Sequence, residues 1–84
     1  HPSQVAEVIK RHPQVSKARL VVDNETGQDR MTLQCEVAGA PDGLAEAVAG
    51  SIRDITKLRG EVKLCRPGEL PNDGKVIDDA RKYD

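Results

Sequence analysis

One lysine near the C-terminal end stands in a segment whose residue types suit it to bind a ligand. The segment reads Leu70-Pro71-Asn72-Asp73-Gly74-Lys75. Because Pro71 removes a backbone donor and Asn-Asp-Gly favours a turn with positive φ at Gly74, the sequence predicts Lys75 on a tight loop. Its ammonium group suits a phosphate or carboxylate oxygen. The pattern also fits a solvated surface lysine, because most lysines are exposed.

The remaining reactive residue types do not form a recognisable catalytic or metal-binding pattern. Cys35 and Cys65 each fall in a predicted strand without a second cysteine nearby, so we interpret them as buried thiols and predict no metal site. His12 ends a predicted helix and is interpreted as structural. Asp78 and Asp79 are adjacent, and adjacent helical residues do not face each other, so they are not predicted to act as an acid/base pair.

Composition narrows the class of protein. The chain has 84 residues, a formal charge of −1, no Phe or Trp, and a single aromatic residue, Tyr83. Without a basic stripe or an aromatic platform, nucleic-acid binding is disfavoured. No apolar run is long enough to cross a bilayer, so a membrane partner is not expected either. We expect one small domain in the cytoplasm.

Two segments have helical periodicity. Val5, Val8 and Ile9 recur at the spacing of one buried helix face, and this helix should end before Pro13. A second helix is predicted from Leu44 to about Leu58. We expect Gly60 to end it, and Gly50 to mark a close approach of the helix to the sheet.

Three segments have the features of strands. β-Branched residues crowd between 15 and 22, and apolar residues alternate with polar ones over 30–37 and again over 61–66. The first two strands flank a polar turn with Gly27 and form a hairpin. We predict an α+β fold, with a small three-stranded, mainly antiparallel sheet, two helices and a short C-terminal element. If the third strand lies beside the first, the helical crossover makes these two strands antiparallel.

The opening and the end of the chain resemble a known family. Pro2-Ser3-Gln4-Val5-Ala6-Glu7-Val8-Ile9 and the following His12-Pro13-Gln14-Val15 resemble the start of the C-terminal subdomain of acyl- and aryl-CoA ligases of the adenylate-forming AMP-binding superfamily. The late segment resembles the motif in which "LP", a spacer and "GK" deliver a catalytic lysine. Pro67-Gly68-Glu69-Leu70-Pro71 is most similar to the phenylacetate-CoA ligase branch.

The resemblance implies a function for the whole chain. Residues 1–84 would be the mobile C-terminal lid domain, and the first residue, His1, fits a piece of a longer protein. A large N-terminal adenylation domain outside this sequence would bind ATP, Mg and an aryl or acyl carboxylate. Lys75 would be the catalytic lysine of adenylation, with Asp73 and Gly74 in the loop that presents it. The lid would then swing about a hinge, also outside this sequence, to allow attack by coenzyme A. The isolated chain is expected to be inactive.

The sequence departs from the family near this lysine. Asp73 stands where many relatives carry Ser, Thr or Glu, and Asp78-Asp79 follow where relatives place a basic residue. These two carboxylates would weaken the field of Lys75 or form a salt bridge with it. The sequence specifies neither the carboxylic acid nor the oligomeric state.

A function from another class is also compatible with a small α+β domain. The chain could serve as a non-catalytic regulatory or ligand-sensing domain, because folds of this size host many functions. In that case the replacement of Lys75 would leave function largely intact.

Overall fold

The described part of the chain forms two helices and four strands. A computed structural model describes residues 2–39, 41–74 and 76–82. The elements in chain order are α1 (Pro2–Lys10), β1 (Val15–Asp23), β2 (Arg30–Val37), α2 (Leu44–Thr56), β3 (Glu61–Cys65) and β4 (Ile77–Asp79). No helix among these residues combines the length and apolar character needed to cross a membrane. The α+β class and both predicted helices are confirmed.

The sheet differs from the prediction in strand number and direction. Its order is β3-β2-β1-β4; β1 and β2 are antiparallel, whereas β3 is parallel to β2 and β4 is parallel to β1. The prediction of three mainly antiparallel strands is therefore wrong, and the third strand lies beside the second, not beside the first. A helical crossover returns the chain parallel to the strand it left, and after α2 the strand β3 pairs directly with β2. The free edge of β1 then accepts β4, whose three residues are too few to give a strand pattern in the sequence.

Both helices pack on one face of the sheet and form the core with it. The apolar helix positions recognised in the sequence point inward, and Val48 and Cys35 are completely buried. The buried apolar cluster consists of Val5, Val8, Val15, Leu33, Cys35, Val37, Leu44, Val48 and Ile52. This packing uses the apolar side of the β1–β2 hairpin, which leaves the polar side of the same strands for other contacts.

Neither Gly50 nor Gly60 has the role that the sequence predicted for it. α2 ends at Thr56, and Lys57 takes the left-handed conformation at φ 62° while its N–H donates to the Arg53 carbonyl at 2.9 Å. Gly50 is exposed, and a Cβ built on it would meet nothing within 4 Å. A Cβ on Gly60 would lie 3.1 Å from Met31 Cε and 3.2 Å from Ile52 Cγ2. The close approach is therefore at Gly60.

The opposite side of the sheet, which we call the open face, carries polar and charged side chains. In the antiparallel register Lys17 pairs with Glu36 and Arg19 pairs with Gln34, and all four alternate with core residues. A β-bulge at Ser16 interrupts the register beside Glu36, and the Ser16 hydroxyl donates to the Glu36 carbonyl at 3.1 Å. Bulges commonly re-aim neighbouring side chains.

We predict opposite effects of alanine at the two glycines. Gly50→Ala should raise the free energy of unfolding by about 0.5–1 kcal/mol, because it restricts an exposed helix-interior residue without a clash. Gly60→Ala should lower it by about 1 kcal/mol, because the new methyl overpacks the β-branched Ile52 side chain. Urea unfolding of both variants measures the difference. Equal changes in the two would contradict this account of the packing.

Candidate functional site

Residues 66–74, which we call the approach loop, cross the open face on their way to position 75. The N–H of Glu69 donates to the Arg66 carbonyl at 3.1 Å and closes a first turn, and Gly68 has φ 85°. Leu70 is buried, which fixes the middle of the loop to the domain. Gly74 has φ 75°, so the predicted positive-φ glycine immediately before Lys75 is confirmed.

Glu36 on β2 holds the first half of the approach loop. Its two carboxylate oxygens accept the N–H of Gly68 at 2.7 Å and the N–H of Leu70 at 2.9 Å. The Glu36 residue is only 5% exposed. The Gly68 N–H is the main reason that the pKa of Glu36 lies below its ordinary value; the Leu70 N–H and the charge of Lys17 add to this, against the effect of burial. The carboxylate therefore stays ionised where two amide groups need an acceptor.

Arg19 and Lys17 on β1 hold the second half. Arg19 Nη1 donates to both carboxylate oxygens of Asp73, at 3.2 and 3.1 Å, and its Nη2 lies 3.4 Å from Asp78 Oδ2. Lys17 Nζ donates to the Pro71 carbonyl at 2.8 Å. Three charged side chains of one hairpin thus bind successive parts of the approach loop.

β4 fixes the chain on the other side of position 75. The N–H of Leu20 donates to the Val76 carbonyl at 2.8 Å, and the N–H of Ala80 donates to the Val22 carbonyl at 2.7 Å. The parallel register pairs Leu20 with Ile77. The described residues that flank position 75 are therefore bound to β1 on both sides.

The two carboxylates that follow the lysine each bind an arginine. Asp78 pairs with Arg19, whereas both Nε and Nη2 of Arg81 donate to the Asp79 carboxylate, at 2.9 and 2.7 Å. The hydrogen bonds from Arg81 lower the pKa of Asp79 to about 2. Arg81 also binds Asp29 at 2.9 Å and so connects the C-terminal segment with the β1–β2 turn.

The predicted site residues are only partly within the described chain. Asp73 and Gly74 lie in the approach loop as expected, and Asp73 has the additional function of binding Arg19. Lys75 lies outside the described residues. Arg19 and Glu36 were missed, because a charged residue on the polar side of a strand is ordinarily solvated. Only the fold shows that the loop covers them.

Other polar groups have structural partners. His12 is buried, and its Nε2 lies 2.8 Å from the Ser51 hydroxyl, so it links the segment after α1 with α2. Cys35 and Cys65 are free, buried thiols, as interpreted from the sequence. Burial, with a contribution from Cys65, raises the pKa of Cys35 to about 11. Within residues 2–39, 41–74 and 76–82, no three His, Cys, Asp or Glu side chains are grouped so that they could hold a metal ion.

The chain belongs to the AMP-binding enzyme C-terminal domain family. The sequence model of that family matches residues 1–81, which is nearly the whole chain. No curated protein sequence matches significantly.

Two solved structures share the fold. A domain of phenylacetate-coenzyme A ligase from Bacteroides vulgatus superposes with a TM-score of 0.85 at 21% identity, over 99% of this chain and 86% of that one. A 2-hydroxyisobutyryl-CoA ligase, in complex with 2-HIB-AMP and CoA in the thioesterification state, superposes with a TM-score of 0.81 at 17% identity. The match covers 98% of this chain and 20% of that ligase, so the chain corresponds to one fifth of that protein.

We predict that Glu36→Gln loosens the approach loop and changes the acid stability of the chain. The NH₂ group of the glutamine is a donor and would face one of the two loop N–H groups, which would lose its hydrogen-bond acceptor. Because folding lowers the pKa of Glu36 below 4.5, its contribution to stability is present above that pH and is lost as the pH falls below it. The variant should be less stable at neutral pH and should lose less stability on acidification.

Urea unfolding at neutral pH and at several pH values below 4.5 tests this. Glu7→Gln, at an exposed position of α1, is the matched control and should follow the wild type. Identical pH dependence of Glu36→Gln and wild type would contradict the assignment.

Proposed function

We propose that residues 1–84 are the mobile C-terminal lid domain of an AMP-forming acyl- or aryl-CoA ligase, similar to phenylacetate-CoA ligase. The family membership supports this proposal, as do the names of the two ligases that share the fold. In this proposal Mg-ATP and the carboxylic acid bind mainly to the large N-terminal adenylation domain of the longer protein, and coenzyme A is the second substrate. ATP supplies the adenylyl group that activates the acid.

Lys75 is the catalytic residue that this domain contributes to adenylation. Its ammonium group lies between oxygens of the substrate carboxylate and the α-phosphate and stabilises the negative charge that develops there. The observation that carries the proposal is the attachment of both flanks of position 75 to β1, through Asp73 on one side and Val76 on the other. A catalytic charge needs a defined location, and the contacts on both flanks of position 75 support such a role for Lys75.

Reorientation of the lid follows adenylation in this proposal. The approach loop is bound by Lys17, Arg19 and Glu36 of the same domain, so it moves with the domain as one body. A swing about a hinge withdraws Lys75 and opens the site to the coenzyme A thiol. Domain motions of this kind exchange one catalytic constellation for another without refolding either domain.

We predict that Lys75→Ala in the full-length polypeptide strongly slows adenylation but spares thioester formation. Carboxylate-dependent ATP–pyrophosphate exchange should fall about 100- to 1000-fold, which is the usual cost of removing one preorganised donor to a developing charge. Conversion of preformed acyl-adenylate to thioester should stay near the wild-type rate. An aryl acid panel, including phenylacetate, identifies the substrate in the same assay.

Lys10→Ala is the matched control, because Lys10 ends α1 at an exposed position far along the chain from the approach loop. Its exchange rate should equal that of the wild type. Equal exchange by wild type and Lys75→Ala would show that another group serves adenylation. Absence of exchange with every acid would instead favour the regulatory or ligand-sensing function.

We also predict that the 84-residue chain alone forms no thioester from ATP, an acid and coenzyme A. The catalytic lysine cannot act without the domain that binds the nucleotide. Thioester formation is measured by monitoring the consumption of the free thiol of coenzyme A. Turnover by the chain alone would contradict the division of labour between the two domains.

A further inference from the structure

Arg19 is an unusual residue for the face on which it lies. Its side chain is only 8% exposed, although it projects from the polar side of β1. Burial of a guanidinium costs free energy unless ion pairs and hydrogen bonds compensate for it. Arg19 therefore depends on its carboxylate partners, and the positions of those partners show what the arrangement organises.

The two partners lie on opposite sides of position 75. Asp73 is two residues before it and Asp78 three residues after it, and one guanidinium reaches both, at 3.1 and 3.4 Å. The Leu20 N–H, adjacent to Arg19 in β1, donates to the Val76 carbonyl. The chain that enters position 75 and the chain that leaves it are thus held by one side chain, with a ladder hydrogen bond beside it.

The energetics favour a geometric role over a purely stabilising one. A buried ion pair often contributes no more stability than well-packed apolar residues would, because desolvation offsets the attraction. What the planar guanidinium adds is direction: it fixes two carboxylates relative to one plane, which a lysine ammonium does not. The same contacts also offset the negative charge of Asp73 and Asp78 close to position 75.

We propose that Arg19 is a positioning residue for Lys75. By binding both Asp73 and Asp78, Arg19 determines the path of the chain through position 75 and therefore the location of the catalytic ammonium group. This inference rests on the proposed function of Lys75. In this proposal β1 does not contact the substrate, but its Arg19 side chain affects the rate of the adenylation step.

A mutant cycle in the full-length polypeptide separates positioning from stability. The variants are Arg19→Gln, Lys75→Ala and the double variant, and each is assayed for ATP–pyrophosphate exchange and for thioester formation from preformed acyl-adenylate. Arg19→Gln should lower exchange about 10- to 100-fold, since a displacement of about 1 Å has an effect of that order. Thioester formation by Arg19→Gln should differ from that of the wild type by less than about 2-fold. Exchange by the double variant should likewise differ from that of Lys75→Ala by less than about 2-fold, because Arg19 acts only through Lys75.

Arg11→Gln is the matched control. Arg11 also pairs with an aspartate, Asp54 at 3.4 Å, but that pair is exposed and joins the turn after α1 to α2. Its exchange rate should equal that of the wild type. If Arg19→Gln does not fold, Arg19→Lys retains the charge and one ion pair, and it should still lower exchange about 10-fold, because an ammonium does not hold both carboxylates in one plane.

Three results would overturn the role of Arg19: wild-type exchange in the Arg19 variant, equal losses in both half-reactions, or losses that multiply in the double variant. These are distinct from failure of the proposed function. If exchange collapses in Lys75→Ala but survives the Arg19 substitution, only the proposed role of Arg19 is rejected. If exchange survives Lys75→Ala, the proposed catalytic role of Lys75 and the positioning role of Arg19 are both rejected.

Discussion

Buried charge on the open face of the sheet must be neutralised within the chain, and this requirement ties the approach loop to the β1–β2 hairpin. Glu36 accepts two backbone N–H groups of the loop, and Arg19 binds the carboxylates at the end of the loop and in β4. Burial of either charged side chain without its partners in the loop and in β4 would cost free energy. A segment without regular secondary structure thereby acquires a fixed path across the sheet.

The location of the helices makes this arrangement possible. α1 and α2 share one face, and their apolar side chains fill the core without using the polar side of the hairpin. The crossover through α2 puts β3 on the outer edge of β2, which leaves the edge of β1 to pair with β4. The same strand, β1, therefore contributes both a ladder and two charged side chains to the segment around position 75.

In the function that we propose, the domain must carry one reactive group into a second domain as a rigid body and withdraw it again. The approach loop is bound by side chains of its own sheet, which supports this proposal. Such an attachment of the loop suits the proposed function, in which a group carried by the loop must keep a defined location relative to its own domain.

The sequence by itself determined the two helices, the hairpin, the buried cysteines and the positive φ of Gly74, because periodicity and turn chemistry are local properties. Tertiary structure alone decided that β3 lies beside β2, that β4 completes the sheet and that Gly60, rather than Gly50, is the close approach. It also decided that Arg19 and Glu36 are buried anchors of the loop. Their alternation identifies the polar face of a strand, but solvent and a covering loop satisfy the same pattern. Only the long-range path of residues 66–74 distinguishes between them.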